Sequence, residues 1–395
     1  KVGEEFVRTE VQFIPAKLKV IDHYRETYEC RSCRKNGTPY MEKAPVPYPP
    51  VLHSLASAST ITWLIHQKFE LSIPLYRQEK EWEALGLRLS RATMSNWLLV
   101  VYRDWLVHIV HRLKLELLKQ RYLHIDETHV QVLKEPGRKN TSDSYMWVYC
   151  SIRDAVNPIR YFEYQPGRSG KYPEAFLREY EGYIHTDAYS GYNAVSGVKR
   201  CLCYTHLRRA FVDALPKDIH NSEASKPAEA ILRLNQLFNI ESELEALPPD
   251  QKKKERLIRE KPLLEAFWSW AEKSAIGELP KSKLSKAFHY ALNNREGFWN
   301  YLEDGNCSIS NSLAENCIRP FVIGRKNWLF SGSPKGAEAS AGIYTLVETA
   351  KANGLAPMKY IKYILSDMPG SAFLEHPEYL DDYLPWNPFV KEFCR

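Results

Sequence analysis

The change of hydrophobic period at Arg121 constrains this chain more than any other feature. From 51 to 120, apolar residues recur at helical spacing, and Gly, Pro and Ser divide the pattern into separate helices. Beyond Arg121 the pattern is strand-like. Tyr122–Leu133, Tyr145–Ile152 and Pro158–Tyr164 read as three strands with connections short enough for hairpins. Lys171–Glu181 reads as a helix and Tyr183–Asp187 as a fourth strand. Val198–Cys203 reads as a fifth strand, running into a helix over Thr205–Leu215. A helix repeats its faces about every 3.6 residues and a strand about every two, so neither pattern satisfies the other element. The chain is therefore α+β and multidomain: a helical unit followed by a mixed sheet with helices packed on it.

The flanking segments divide at 43, 50, 120, 216, 308 and 366. Residues 1–43 alternate apolar and polar through Phe6, Val7, Val11, Phe13, Ile14, Leu18, Val20 and Tyr24, predicting two or three short strands in a small β domain. They end at Cys30-Arg-Ser-Cys33, half of a four-ligand zinc site, with two plain thiols as the alternative. Residues 44–50, Ala-Pro-Val-Pro-Tyr-Pro-Pro, can be neither helix nor central strand and form a stiff linker. Within 51–120, Ser54–Phe69 and Pro74–Leu85 read as helices and Gly86 as a stop. Ser90 reads as the N-cap of a short helix to Leu98 that exposes Arg91, Thr93, Ser95 and Asn96. That layout matches a DNA-binding helix-turn-helix, or else an ordinary helical hairpin. A long amphipathic helix from Leu99 to Gln120 follows. Residues 217–308 read as an all-helical insertion, whose run Gln251-Lys-Lys-Lys-Glu-Arg256 reads as a solvated charged face or loop, with a DNA contact as the alternative. The sheet domain resumes over 309–366, with helices at Ala339–Ala352 and Pro357–Leu365, and 367–395 is an aromatic, Pro-rich tail.

Composition narrows the classes of function. The 395 residues allow two to four domains, and 44% apolar content can bury a core. No run approaches the roughly 18 apolar residues that span a membrane, and no signal peptide opens the sequence. Because it begins at Lys1 rather than Met, an upstream segment is expected. Eight irregularly spaced cysteines argue against a disulfide framework and for a reducing compartment. The net charge of +6 is compatible with a polyanionic partner.

Three acids carry the chemistry. Asp126 and Asp187 each read as closing an apolar strand, and Glu315 lies in a short helical stretch followed by Arg319, Arg325 and Lys326. Carboxylates on a sheet surface, with one more from a crossing helix, make an oxygen cage that suits Mg²⁺. Two such ions about 3.5–4 Å apart support in-line displacement at phosphorus. The three basic residues suit a phosphate backbone. The bland readings are an Asp that forms a turn, Glu127 as a rival ligand, and a capping box made by Ser312 and Glu315. Cys203-x2-His206 places two donors one helical turn apart, for a metal, a phosphate or helix packing. Pro166-Gly-Arg-Ser-Gly-Lys171 fails as a P-loop on its glycine spacing, and no G-x-S-x-G elbow is present.

Several segments together resemble the transposases of insertion-sequence family sixty-six. They are His124-Ile-Asp-Glu-Thr128, Thr186-Asp-Ala-Tyr-Ser-Gly-Tyr192, Cys203-Tyr-Thr-His-Leu-Arg-Arg209, Ser312-Leu-Ala-Glu-Asn-x-x-Arg319 and Arg325-Lys-Asn-Trp-Leu-Phe330, with Pro74-Leu-Tyr-Arg77 and Leu-Pro-Trp386 as further matches. The resemblance covers nearly the whole chain. It implies a ribonuclease-H-like domain whose Asp-Asp-Glu triad is Asp126, Asp187 and Glu315, with a helical insertion between the second and third acids. It also implies a C-x2-H-x2-R element, Cys203, His206 and Arg209, beside the active site. Residues 1–43 would then be the remnant of a zinc ribbon, since of the family's two cysteine pairs only Cys30/Cys33 is present. The function expected is Mg²⁺-dependent cleavage at transposon ends and strand transfer into target DNA, with two ions per site. The setting expected is a bacterial cytoplasm and its nucleoid, with the protein a homo-oligomer on terminal inverted repeats and companion proteins of the element taking part. The rivals are a metal-dependent nuclease without strand transfer, a non-catalytic DNA-binding regulator, and a recombinase that forms a covalent Tyr–DNA bond.

Overall fold

A computed structural model describes residues 4–13, 16–216 and 225–395. Ile14 and the boundary placed at 217 lie outside the described residues. Strands β1 (Thr27–Glu29) and β2 (Met41–Lys43) pair antiparallel around a helical turn at Arg31–Lys35. Among the described residues before Tyr24 no other strand forms. Phe6, Val7, Val11 and Phe13 are each more than 80% exposed. Alternation alone cannot make a strand: its N–H and C=O groups need a partner edge, and its apolar face needs something to cover it.

Residues 44–50 take no regular structure, as their prolines require, and the Pro50 carbonyl accepts a hydrogen bond from Trp105 Nε1 at 2.8 Å. Helices follow at Ala58–Ile65, extended by a π turn over His66–Glu70, and at Leu75–Ala84. Gly86, at φ 90°, turns the chain. Ser90 caps the next helix by accepting from the Thr93 N–H at 3.1 Å. That helix does not stop at Leu98. It runs over Arg91–Val101, through a π turn at Tyr102–Leu106, and on through Val107–Leu118 as one rod. No Gly or Pro interrupts it, and the π turn absorbs the offset that keeps Leu106, Ile109, Val110, Leu113 and Leu117 buried.

The main sheet comprises β3 (Tyr122–Val132), β4 (Asp143–Ser151), β5 (Arg160–Gln165), β6 (Gly182–Thr186) and β7 (Val198–Leu202). Their order is β5-β4-β3-β6-β7. The first three strands form antiparallel hairpins, whereas β6 and β7 run parallel to β3. A short β8 (Phe330–Ser331) adds to the far end of β3. The helix Pro334–Ala352 lies along the edge strand. Thr345 Oγ1 accepts from the Phe162 N–H at 2.8 Å and Thr349 Oγ1 from the Arg160 N–H at 3.1 Å, so the edge is not left open. Gly342 sets that helix close to the rod: a Cβ there would lie 2.1 Å from the Tyr102 ring.

One apolar core joins these helices, the sheet and the C-terminal segments Pro357–Asp367, Pro377–Tyr383 and Pro388–Cys394. A second core lies in the insertion, whose described helices are Lys226–Glu243, Pro249–Glu255, Lys261–Ala275, Lys283–Asn293 and Arg295–Trp299. Phe267 and Trp268 belong to it and are buried. Arg256, the last residue of the run read as a solvated face, is 0% exposed. It forms a two-pronged pair with Glu241 at 2.6 and 2.9 Å and donates to the carbonyls of Tyr301, Asp304 and Cys307. Among the described residues no helix is long and apolar enough to cross a membrane.

Candidate active site

The parallel ladder between β3 and β6 pairs His124 with His185, and their rings stack 4.2 Å apart. Both side chains therefore leave the same face of the sheet. Two residues further along each chain stand Asp126 and Asp187, and the two-residue repeat of extended backbone returns them to that face. Asp126 does not end its strand. It is the fifth of eleven residues in β3, because Val130 and Val132 stay buried and pairing with β4 continues to Gln131. Asp187 follows the last residue of β6, as its sequence pattern indicated.

Asp187 sits in a tight turn, its Oδ1 accepting from the Tyr189 N–H at 2.9 Å. Arg200 on β7 clamps this turn. It donates to Thr186 Oγ1 (2.7 Å), to the carbonyls of Asp187 (2.6 Å) and Tyr189 (2.8 Å), and to Asn193 Oδ1 (2.7 Å). A lysine cannot reach four such acceptors. Arg200→Lys is therefore expected to misplace Asp187 and to weaken Mn²⁺ binding at the acids by roughly ten- to a hundredfold in a calorimetric titration. The melting temperature should show the fold retained.

The third acid arrives on the helix Ser312–Trp328. Asn311, just before it, donates from Nδ2 to the Ile125 carbonyl at 2.7 Å and meets His124 Nδ1 at 3.0 Å. Its N–H donates to Cys203 Sγ at 3.1 Å. The helix is thus pinned to β3 immediately before Asp126. No capping box forms: Ser312 is the first helical residue, and the cap position is held by Asn311, whose side chain serves the strand. Glu315 is left with a buried Oε1 that lacks a hydrogen-bond partner, 3.7 Å from an equally unpartnered His206 Nδ1.

The charges of Asp187 and Glu315 both reach Asp126. Burial pushes Asp126 up to about 7, and the charges of Glu127, Asp187 and Glu315 push the same way. A side-chain hydrogen bond with Cys203 raises the His206 pKa most, helped by the charges of Cys203, Glu315 and Asp187 and opposed by burial. Glu127, the rival ligand, leaves the opposite side of β3 and is already engaged. Arg168 Nε donates to it at 2.6 Å and the Tyr192 hydroxyl donates to its other oxygen. Burial raises the Glu127 pKa, against the pull of both partners. Among the described residues Asp126, Asp187 and Glu315 do not bring one oxygen each within 4.8 Å of one another, and Glu315 groups instead with Cys203 and His206. Carboxylates with a bare oxygen are nevertheless the donor type a hard divalent cation takes.

The sign for pH follows. Asp126 keeps its proton to about 7 when folded but releases it near 4 when unfolded. Between those limits the folded state binds more protons, so metal-free stability falls as pH rises through the window. Mg²⁺ or Mn²⁺ is expected to raise the melting temperature more at about pH 8 than at about pH 5.5, because below the window it must displace a proton. Asp126→Asn should flatten that difference in a thermal-shift titration.

The remaining candidates divide. Arg319 and Lys326 are exposed on the helical stripe that carries Glu315. Arg325 instead turns onto the sheet and donates to Thr128 Oγ1 at 3.0 Å. Arg209 is exposed, on the helical face of His206. Arg91 and Asn96 are exposed and Thr93 and Ser95 half-buried, with Thr93 engaged in the Ser90 cap. Among the described residues no hydrogen bond or ion pair links these four to the acids. Cys30 and Cys33 are free thiols on the N-terminal hairpin, with no third donor grouped beside them among the described residues. A buried trio, His185, Cys201 and Cys307, also comes together. Both nitrogens of His185 are taken there, Nδ1 by the Leu123 carbonyl at 3.2 Å and Nε2 by the Ser308 N–H at 2.9 Å. Sequence reasoning missed Arg168, Tyr192, Arg200 and Asn311. Arg168 was within sight, inside the rejected P-loop segment.

Comparison with known proteins identifies the family. Residues 53–339 match the model described as Transposase IS66 family, and residues 1–34 match the zinc-finger binding domain of transposase IS66. Uncharacterized protein y4hP of Sinorhizobium fredii (strain NBRC 101917 / NGR234) is 26% identical over 407 residues, spanning 98% of this chain and 71% of that protein. Uncharacterized protein y4jD of the same organism is 26% identical over 391 residues, spanning 95% and 74%. The family model covers well over half of the chain, which therefore belongs to the IS66 transposase family.

Proposed function

We propose that this transposase cuts DNA at transposon ends and joins the freed 3′-hydroxyls to target DNA, with Asp126, Asp187 and Glu315 as its catalytic acids. The observation that carries this reading is the shared register of Asp126 and Asp187 beyond the stacked histidines, with the Glu315 helix pinned over them. The three acids would hold two Mg²⁺, which supply charge to activate the attacking oxygen and to stabilise the leaving one. In the first step water attacks the end phosphodiester and releases a 3′-hydroxyl. In the second that hydroxyl attacks a target phosphodiester, forming one P–O bond as another breaks. Two antiparallel hairpins followed by parallel strands, interrupted before the third acid by helices, support a ribonuclease-H-like domain.

Arg319, Lys326 and Arg209 suit the DNA backbone, so affinity should fall steeply with salt. Arg91, Thr93, Ser95 and Asn96 would read terminal repeats from the start of the rod, with Arg325 supporting the sheet instead of the phosphates. The zinc-finger match supports Zn²⁺ at Cys30 and Cys33. Two ends must be joined together, which favours a homo-oligomer on DNA, with companion proteins of the element as further partners. The setting is the cytoplasm and nucleoid of a bacterium.

The test supplies end-bearing DNA, a target plasmid and Mg²⁺, and scores free 3′-hydroxyl ends and joined products with and without EDTA. Cleavage without joining would favour a nuclease. Binding with no cleavage in any divalent cation would favour a regulator, and an EDTA-resistant Tyr–DNA adduct a tyrosine recombinase.

A further inference from the structure

Beside the acids lies a second, softer donor set. Cys203 precedes the helix Tyr204–Val212 and His206 follows one turn later, so both side chains leave one face. Glu315 reaches the same point from the helix Ser312–Trp328, and one donor atom from each of the three residues lies within 4.8 Å of the others. His206 Nδ1 and Glu315 Oε1, 3.7 Å apart, are both buried and neither has a hydrogen-bond partner. The two atoms face each other at ion-pair distance, and a cation held between them would satisfy both in place of a proton on the imidazole.

We propose that Cys203, His206 and Glu315 bind a divalent transition-metal ion of the zinc class, separate from any ion held by the two aspartates. Zinc bonds of about 2.0–2.3 Å in a tetrahedron put donors about 3.3–3.8 Å apart, which matches the His206–Glu315 spacing. A sulfur, an imidazole nitrogen and one carboxylate oxygen select such a metal over Mg²⁺, which wants oxygen alone. The Asn311 N–H, donating to Cys203 Sγ at 3.1 Å, stabilises a thiolate in the way outer contacts support metal ligands. Three protein donors leave one position open for a water. Glu315 is shared with the proposed triad, so a zinc-class ion here draws that carboxylate away from the aspartates. The site stands on its own donors and does not depend on the chain cutting DNA.

The experiment uses the full chain carrying Cys30→Ser and Cys33→Ser, which silences the N-terminal thiols. Co²⁺ is titrated and followed by absorption, and Zn²⁺ binding is measured by competition. One Co²⁺ per chain is expected, with a thiolate-to-cobalt charge-transfer band and the visible bands of tetrahedral coordination. Adding Cys203→Ser should remove the charge-transfer band, and His206→Gln should weaken Zn²⁺ binding about tenfold or more. Circular dichroism identifies a variant that fails to fold, in which case the other decides. The absence of a stoichiometric band overturns the proposal, leaving His206 and Glu315 as a simple ion pair. So does a band that survives Cys203→Ser. Neither readout involves DNA, so failure here is distinct from failure of the transposase assay.

Discussion

Asp187→Asn should lower metal-dependent cleavage of end-bearing DNA by about a thousandfold or more while leaving the protein folded. The large effect follows from what the change removes. It replaces a carboxylate of the proposed triad with a neutral amide, a poor ligand for a hard cation. The small effect on folding follows from what it keeps. The Asn side chain retains an oxygen for the Tyr189 N–H, and Arg200 grips the main-chain carbonyls of Asp187 and Tyr189, which the substitution does not touch. The expected change in stability is within about 1 kcal/mol. Single-turnover cleavage on radiolabelled ends, with a melting curve on the same sample, separates the two quantities. A folded Asp187→Asn protein that still cuts would remove Asp187 from the chemistry, and with it the proposed triad.

The elements that carry the three acids were legible in the sequence because each has a strong local pattern. Alternation gave β3, β6 and β7, and Asp187 fell where β6 ends. Asp126 was placed too near its strand end, because the polar run Asp126-Glu-Thr-His129 looks like a terminus. In the fold that run stays inside β3, with Glu127 held by Arg168 and Tyr192. The residues that hold the acids were not legible. Asn311 reaches Ile125 across 186 positions, and Arg200 folds back over a turn whose shape no local pattern encodes. The same limit explains the N-terminus, where alternation was present but no partner edge was.

Arg256 carries the same lesson at higher energetic stakes. Arg256→Met is expected to destabilise the insertion on the order of 3–5 kcal/mol, the usual loss when one member of a buried pair is removed. The variant strips both prongs from Glu241 and leaves the carbonyls of Tyr301, Asp304 and Cys307 without their shared donor. Lys252 remains 3.2 Å from one Glu241 oxygen, but it serves neither the other oxygen nor the carbonyls. Glu260, pushed up to about 8 chiefly by burial and then by the charge of Glu241, also loses the cation that moderates it. The double variant Arg256→Met with Glu241→Leu should recover part of the loss, because the buried Glu241 charge goes with its partner while the three carbonyls stay without a donor. Urea unfolding of the three proteins measures this, and a single variant within about 1 kcal/mol of the parent would refute it. Activity should follow stability. The loop that Arg256 anchors runs on through Ser308, which bonds His185, to Asn311, which pins the Glu315 helix. Loosening the insertion therefore moves the third acid, and Arg256→Met should cut more slowly even at temperatures where it stays folded.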